Sequence, residues 1–193
     1  MPADPDPSPD AEASTRELVD LLDESRSREA ARSRSRERSL RQQATESAGL
    51  AGLLLSAAEQ SLRLTVRCTS GRAYQGTVVT VGEDFCAVVS DAAVETYIAF
   101  TAITAIRPER AVGPGEAADD RPPPLGIRLG EVLSQEAPDR PRVALVAAGD
   151  PEPVVGTLRT VGVDVATIEL EGRRDIVYVR LPSVTEVSFL ASG

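Results

Sequence analysis

The sequence predicts a mainly β protein with an N-terminal helix, organised as two tandem five-stranded small β-barrels, each preceded by a helix. Three observations predict this. The chain repeats itself: residues 76–85 (GTVVTVGEDF) return as residues 156–165 (GTLRTVGVDV), with six of the ten positions identical. Residues 97–106 (YIAFTAITAI) return as 178–187 (YVRLPSVTEV), so the offset is 80 residues in the first piece and 81 in the second. A fixed period signals copies of one module. Short runs also alternate apolar and polar residues, the period of a half-buried strand. Finally, Gly76 and Gly156 stand inside such runs, where glycine marks the bend or bulge that a small barrel needs to close.

Taken in order, residues 1–13 are acidic and proline-rich and read as a disordered tail. Residues 14–48 read as a charged helix or arm. Ser14 and Glu17 have capping-box spacing, and Leu18, Leu21 and Leu22 share the face that follows. Within 26–41 lie seven arginines: Arg26, Arg28, Arg32, Arg34, Arg36, Arg38 and Arg41. They fall all round a helical axis and leave no apolar stripe.

The first barrel is expected over 49–108. Leu50, Leu53, Leu54, Ala57 and Ala58 have the spacing of an amphipathic helix that opens it. Leu64, Val66 and Cys68 alternate in its first strand. Further strands are expected at 73–81, 85–89, 97–100 and 105–107, with Gly82 and Asp84 in a turn and a 3-10 turn at 101–104. Residues 109–124 contain three consecutive prolines and read as a linker. The second barrel, 125–190, opens with a short helix through Ile127, Leu129, Val132 and Leu133. Its strands are expected at 143–146, 154–161, 165–169, 176–181 and 185–189.

The net charge of −9 is unevenly spread. Residues 1–25 hold eight acids and one Arg, residues 26–48 seven Arg and three Glu, and residues 49–193 thirteen Arg and nineteen acids. The only basic block therefore precedes acidic barrels. Lys, His, Asn and Trp are absent. Lacking His, the chain lacks the usual general base near neutral pH and the commonest metal ligand. Two cysteines, Cys68 and Cys86, cannot form a Cys-rich zinc site and read as small buried residues. No signal peptide or membrane-length apolar run is visible, so a cytoplasmic protein without membrane contact is expected.

A helix, five short strands, a bent glycine-bearing second strand and a one-turn break before the fifth resemble the Sm-like (SH3-like) small barrel. Gly76, Val81, Phe85, Ile103 and Ile106 carry the resemblance in the first copy, and Gly156, Val161, Val165, Val184 and Val187 in the second. The long N-terminal arm and the tandem arrangement are similar to uncharacterised conserved actinobacterial proteins. The resemblance implies RNA binding and rings of barrels. It also implies a nucleotide pocket that this sequence has replaced. Asp84 and Asp164 stand where an aromatic would stack a base, and an acid there repels phosphate.

No phosphate-cradling loop, nucleophile elbow or metal cluster is present, so no catalytic residue, cofactor or metal is expected. Gly76, Gly82, Asp84, Gly156, Gly162 and Asp164 read as structural, the two acids capping their own turns. Tyr97 and Tyr178 read as rings covering barrel edges. Arg180 either contacts phosphate or pairs with Glu169 or Glu186. Two functional readings stand. One is a non-enzymatic barrel protein that binds RNA or DNA through 26–41, with Arg180 assisting. The other is a protein-interaction scaffold without nucleic acid. In both, the barrels pack together or the chain forms homo-oligomers.

Overall fold

The computed structural model describes Glu29, Ser33 and Arg36 together with residues 49–112, 125–172 and 175–190. The chain divides into two units, Met1–Glu46 and Ser47–Gly193. In the first unit, Glu29, Ser33 and Arg36 are helical and exposed. The acidic tail, most of the charged arm and residues 113–124 of the expected linker lie outside the described residues.

In the second unit, α1 (Leu50–Glu59) buries Leu54, Leu55 and Ala57, and β1 (Arg63–Cys68) follows at once. Leu64, Val66 and Cys68 face inward as their alternation predicts. Then come β2 (Ala73–Val81), β3 (Phe85–Val89), β4 (Glu95–Ala99), a 3-10 turn (Phe100–Ala102) and β5 (Ile103–Pro108). The second repeat gives α2 (Leu129–Glu136), β6 (Arg142–Ala147), β7 (Asp150–Val161), β8 (Val165–Leu170), β9 (Ile176–Arg180), a 3-10 turn (Leu181–Ser183) and β10 (Val184–Leu190).

The two separate closed barrels expected from the repeat are not what the strands form. All ten described strands join in one open antiparallel sheet, in the order β5-β1-β2-β3-β4-β10-β6-β7-β8-β9. Among the described residues, β4 does not pair with β5, nor β9 with β10. Instead β10 pairs with β6 of its own repeat and with β4 of the other. An unpaired edge exposes a row of amide and carbonyl groups, and joining β4 to β10 satisfies two such rows at once. The repeat shows five strands per copy but not which edges meet.

Gly76 and Gly156 have a steric reason. A Cβ at Gly76 would lie 2.0 Å from the Val89 carbonyl oxygen, and one at Gly156 2.2 Å from that of Glu169. The bend follows a few residues on, where the β2–β3 register shifts between Val78 and Thr80 and the β7–β8 register between Leu158 and Thr160. Arg63 pairs with Asp91 and, at the same place in the second repeat, Arg142 pairs with Glu171. In each pair the guanidinium holds the carboxyl below its ordinary range.

Two apolar clusters fill the unit. One gathers Leu54, Leu64, Val66, Val78, Val81, Cys86 and Ile98 of the first repeat. The other gathers Leu133, Val143, Leu145, Leu158, Ile168 and Val187 of the second, and takes in Phe85 and Ala99 of the first. The seam between the repeats is thus core, not surface.

Candidate functional site

The features that distinguish this molecule lie at the seam and at the two ends of the sheet. At the seam, Ile98, Tyr97 and Thr96 of β4 stand opposite Glu186, Val187 and Ser188 of β10. Tyr97 packs between Phe85 of its own repeat, with ring centroids 5.6 Å apart, and Phe189 of the other, 5.4 Å away and edge-on. The Thr96 and Ser188 hydroxyls lie 2.8 Å apart.

Glu186 enters the first repeat from β10 and is 1% exposed. The Ser70 hydroxyl donates to its Oε1 at 2.7 Å and the Tyr74 hydroxyl to its Oε2 at 2.6 Å. Burial and the Glu186 carboxylate push the Tyr74 hydroxyl above its usual range. Burial, followed by the same carboxylate, pushes the Cys68 thiol up to about 12. Beside this cluster Arg72 donates to the Pro151 carbonyl across the seam at 3.2 Å. A buried carboxylate is tolerated only when hydrogen-bonded, and here the two hydroxyls of the other repeat supply the bonds.

A third contact crosses the seam at α2. Asp84 does not cap its own turn as the sequence suggests. Its Oδ1 accepts from the Leu129 amide at 2.9 Å, so the turn of the first repeat caps the helix of the second. Arg128 donates to Glu83 at 3.1 Å, and the Glu83 amide donates to the Ile127 carbonyl at 3.0 Å. The cleft beside these groups, about 540 Å³, has Asp84, Thr101, Arg128, Glu131, Ser134 and Leu181 in its lining.

At the sheet ends, β5 and β9 each have one unpaired edge among the described residues. The Leu181 amide donates to the Asp164 carbonyl and the Leu170 amide to that of Asp175, which fixes the phase of the β8–β9 ladder. With period two, the amides of Ile176, Tyr178 and Arg180 face away from β8. On β9, Ile176 is exposed and Tyr178 is 70% exposed.

The expected site residues are not gathered in one place. Arg26, Arg28, Arg32, Arg34, Arg38 and Arg41 lie outside the described residues, and Arg36 is exposed in the first unit. Arg180 sits exposed on the β9 edge. Neither carboxylate suggested for it is its partner: Glu169 pairs with Arg159 at 2.8 Å, and Glu186 bonds Tyr74 and Ser70. Gly82 is buried against Phe85, while Gly162, Asp164 and the turn they share are exposed. Tyr178 is 70% exposed, unlike Tyr97, which packs between two rings. Sequence reasoning took Glu186 only as a partner for Arg180, although its counterpart in the first repeat is Ala105, one of two places in residues 178–187 where a charge in the second copy replaces an alanine of the first.

Cys68 and Cys86 are free and buried. Among the described residues, no group of three or more Cys, Asp or Glu could hold a metal ion, and no helix is long and apolar enough to cross a membrane. Compared with known proteins, the sequence matches no family model and no curated protein.

Proposed function

We propose that the protein is a non-enzymatic interaction scaffold that takes partners by strand addition at the ends of its sheet. One observation carries the reading: among the described residues the ten-stranded sheet ends in two unpaired edges, and β9 displays exposed Ile176 and Tyr178 beside outward-facing amides. Strand addition draws affinity from main-chain hydrogen bonds and specificity from alternate side chains. Acidic repeats suit a protein partner better than a nucleic acid.

The arginine block supports a second reading, in which residues 26–41 hold RNA or DNA while the sheet positions them. Seven Arg against two Glu leave that stretch at +5, and Arg36 is exposed on a helix. Capture from native lysate with and without nuclease separates the two. For the scaffold, captured protein survives nuclease and is lost with Tyr178→Pro, which removes an amide that bonds nothing on β8. If everything captured disappears with nuclease, survives Tyr178→Pro and depends on Arg32, Arg34, Arg36 and Arg38, the second reading replaces the first.

A further inference from the structure

The seam inside one chain is a worked example of how two repeats meet. It joins the fourth strand of the first repeat, β4, to the fifth strand of the second, β10. The strands left over at the sheet ends are the fourth strand of the second repeat, β9, and the fifth of the first, β5. They are the same two kinds of edge. From this we infer that the partner taken at the sheet ends is a second copy of this chain, docked head to tail, with β9 of one copy on β5 of the next and Asp164 capping the incoming α1. The inference rests on the strand-addition reading above and names its partner.

Four pairs of repeat counterparts support it. Tyr97 lies in the seam between two aromatic rings, whereas Tyr178 is left in solvent. Leu129, at the start of α2 against the first repeat, is 5% exposed, whereas Leu50, at the start of α1, is 37% exposed. Asp84 caps Leu129 across the seam. Its counterpart Asp164 is exposed and, among the described residues, accepts no side-chain hydrogen bond. Gly49 provides α1 with no side-chain cap, and no described hydrogen bond reaches the Leu50 amide. Beside Asp164, the apolar tip residue Val163 is fully exposed, where its counterpart Glu83 bonds the chain leading into α2. Among the described residues, a helix start without a side-chain cap and a capping acid without a partner are thus found where the seam has both joined.

The register follows from the seam. Shifting Tyr97↔Val187, Thr96↔Ser188 and Ile98↔Glu186 by the 81-residue offset sets Tyr178 opposite Ile106, Val177 opposite Arg107 and Val179 opposite Ala105. The phases agree. Glu109 donates to the Arg63 carbonyl, so the Ile106 amide faces away from β1, as the Tyr178 amide faces away from β8. Pro108 stands at the counterpart of Phe189 and offers Tyr178 an apolar ring, but its missing N–H shortens the ladder. The buried carboxylate has no counterpart, because Glu186 matches Ala105 and Tyr74 matches Val154. The junction between copies is therefore the weaker of the two, and reversible. Such heterologous contacts give a ring if the rotation closes and a filament if it does not.

The test uses the full chain. Sedimentation over a concentration series should show species heavier than the monomer, and Tyr178→Pro should reduce them to monomer. Asp164→Ala, whose side chain bonds nothing described in the fold, should weaken association by about fivefold, the worth of a helix cap. The double variant Val177→Cys with Arg107→Cys should give a disulfide-linked ladder on mild oxidation, because the corresponding Thr96 and Ser188 side chains touch. Either single variant should give none. A monomer at all concentrations overturns the inference, and a different protein lost on Tyr178→Pro would then leave the scaffold reading intact. Cross-linked dimers from a single variant mean like edges pair, which overturns the head-to-tail arrangement. If Tyr178→Pro changes neither association nor capture, both readings fall.

Discussion

The Tyr74 hydroxyl donates a 2.6 Å hydrogen bond to Glu186, so two residues 112 positions apart in the sequence tie the repeats together inside the protein. Removing one partner leaves the other buried and underbonded. Tyr74→Phe should destabilise the fold by about 1–2 kcal/mol and Glu186→Ala by about 2–4 kcal/mol. Urea unfolding of both variants and the double variant measures this. The losses should fall short of additivity by about 1 kcal/mol, and strict additivity would show the bond contributes nothing.

The repeat glycines should not behave alike. A Cβ at Gly82 would lie 2.2 Å from a ring carbon of fully buried Phe85, whereas at Gly162 the nearest atom is 3.5 Å away. Gly82→Ala should therefore cost about 1–3 kcal/mol, and Gly162→Ala should be near neutral. Gly76→Ala and Gly156→Ala meet backbone oxygens and should be at least as damaging as Gly82→Ala. Thermal denaturation ranks the four, and a damaging Gly162→Ala would count against the fold described.

Burial pushes both thiols up, Cys68 and Cys86 alike to about 12 from an ordinary 9.0. The folded state thus holds these protons more tightly than the unfolded chain. Their contribution to stability is complete below pH 9 and is lost as the pH climbs from there toward 12. Denaturant midpoints should fall across that window. At pH 8 neither thiol should react with a disulfide reagent until the protein is unfolded. Rapid labelling of the native chain would show that the thiols are not enclosed.

For the arginine arm, anisotropy with labelled RNA and DNA oligomers gives a quantitative check. If about five phosphates are neutralised, log K should fall with log salt at a slope of roughly −3.5 to −4.5. Deleting residues 1–25 removes eight acids and one Arg and should tighten binding. Changing Arg32, Arg34, Arg36 and Arg38 to Ser should abolish it. No binding by the deletion variant at low salt would dispose of the nucleic-acid reading.

Strands were legible wherever the signal was local. Alternation placed Leu64, Val66 and Cys68 inward, and the repeat placed β7 and β8 from β2 and β3. That the two repeats pack together was expected, but the register of their seam was not legible, because edge pairing is a relation between distant segments and leaves no periodic trace. In β10 four consecutive residues, Val184 to Val187, are buried, since the strand has a repeat on either side. Alternation assigns Glu186 to solvent, and only the whole sheet shows it enclosed. Asp84 was misread for the same reason: its spacing fits a local turn, but its acceptor bond goes to Leu129, 45 positions on.

Of the ten described strands, β10 comes last in sequence, yet it lies at the centre of the sheet between β4 and β6. During synthesis, β1–β5 emerge with the β4 edge bare, and β6–β9 follow with β6 equally bare on that side. Neither is covered until residues 184–190 leave the ribosome. Until then both edges lack the strand that covers them in the finished sheet, and uncovered edges are prone to pairing with neighbouring chains. A chain lacking residues 184–190 would keep both edges uncovered.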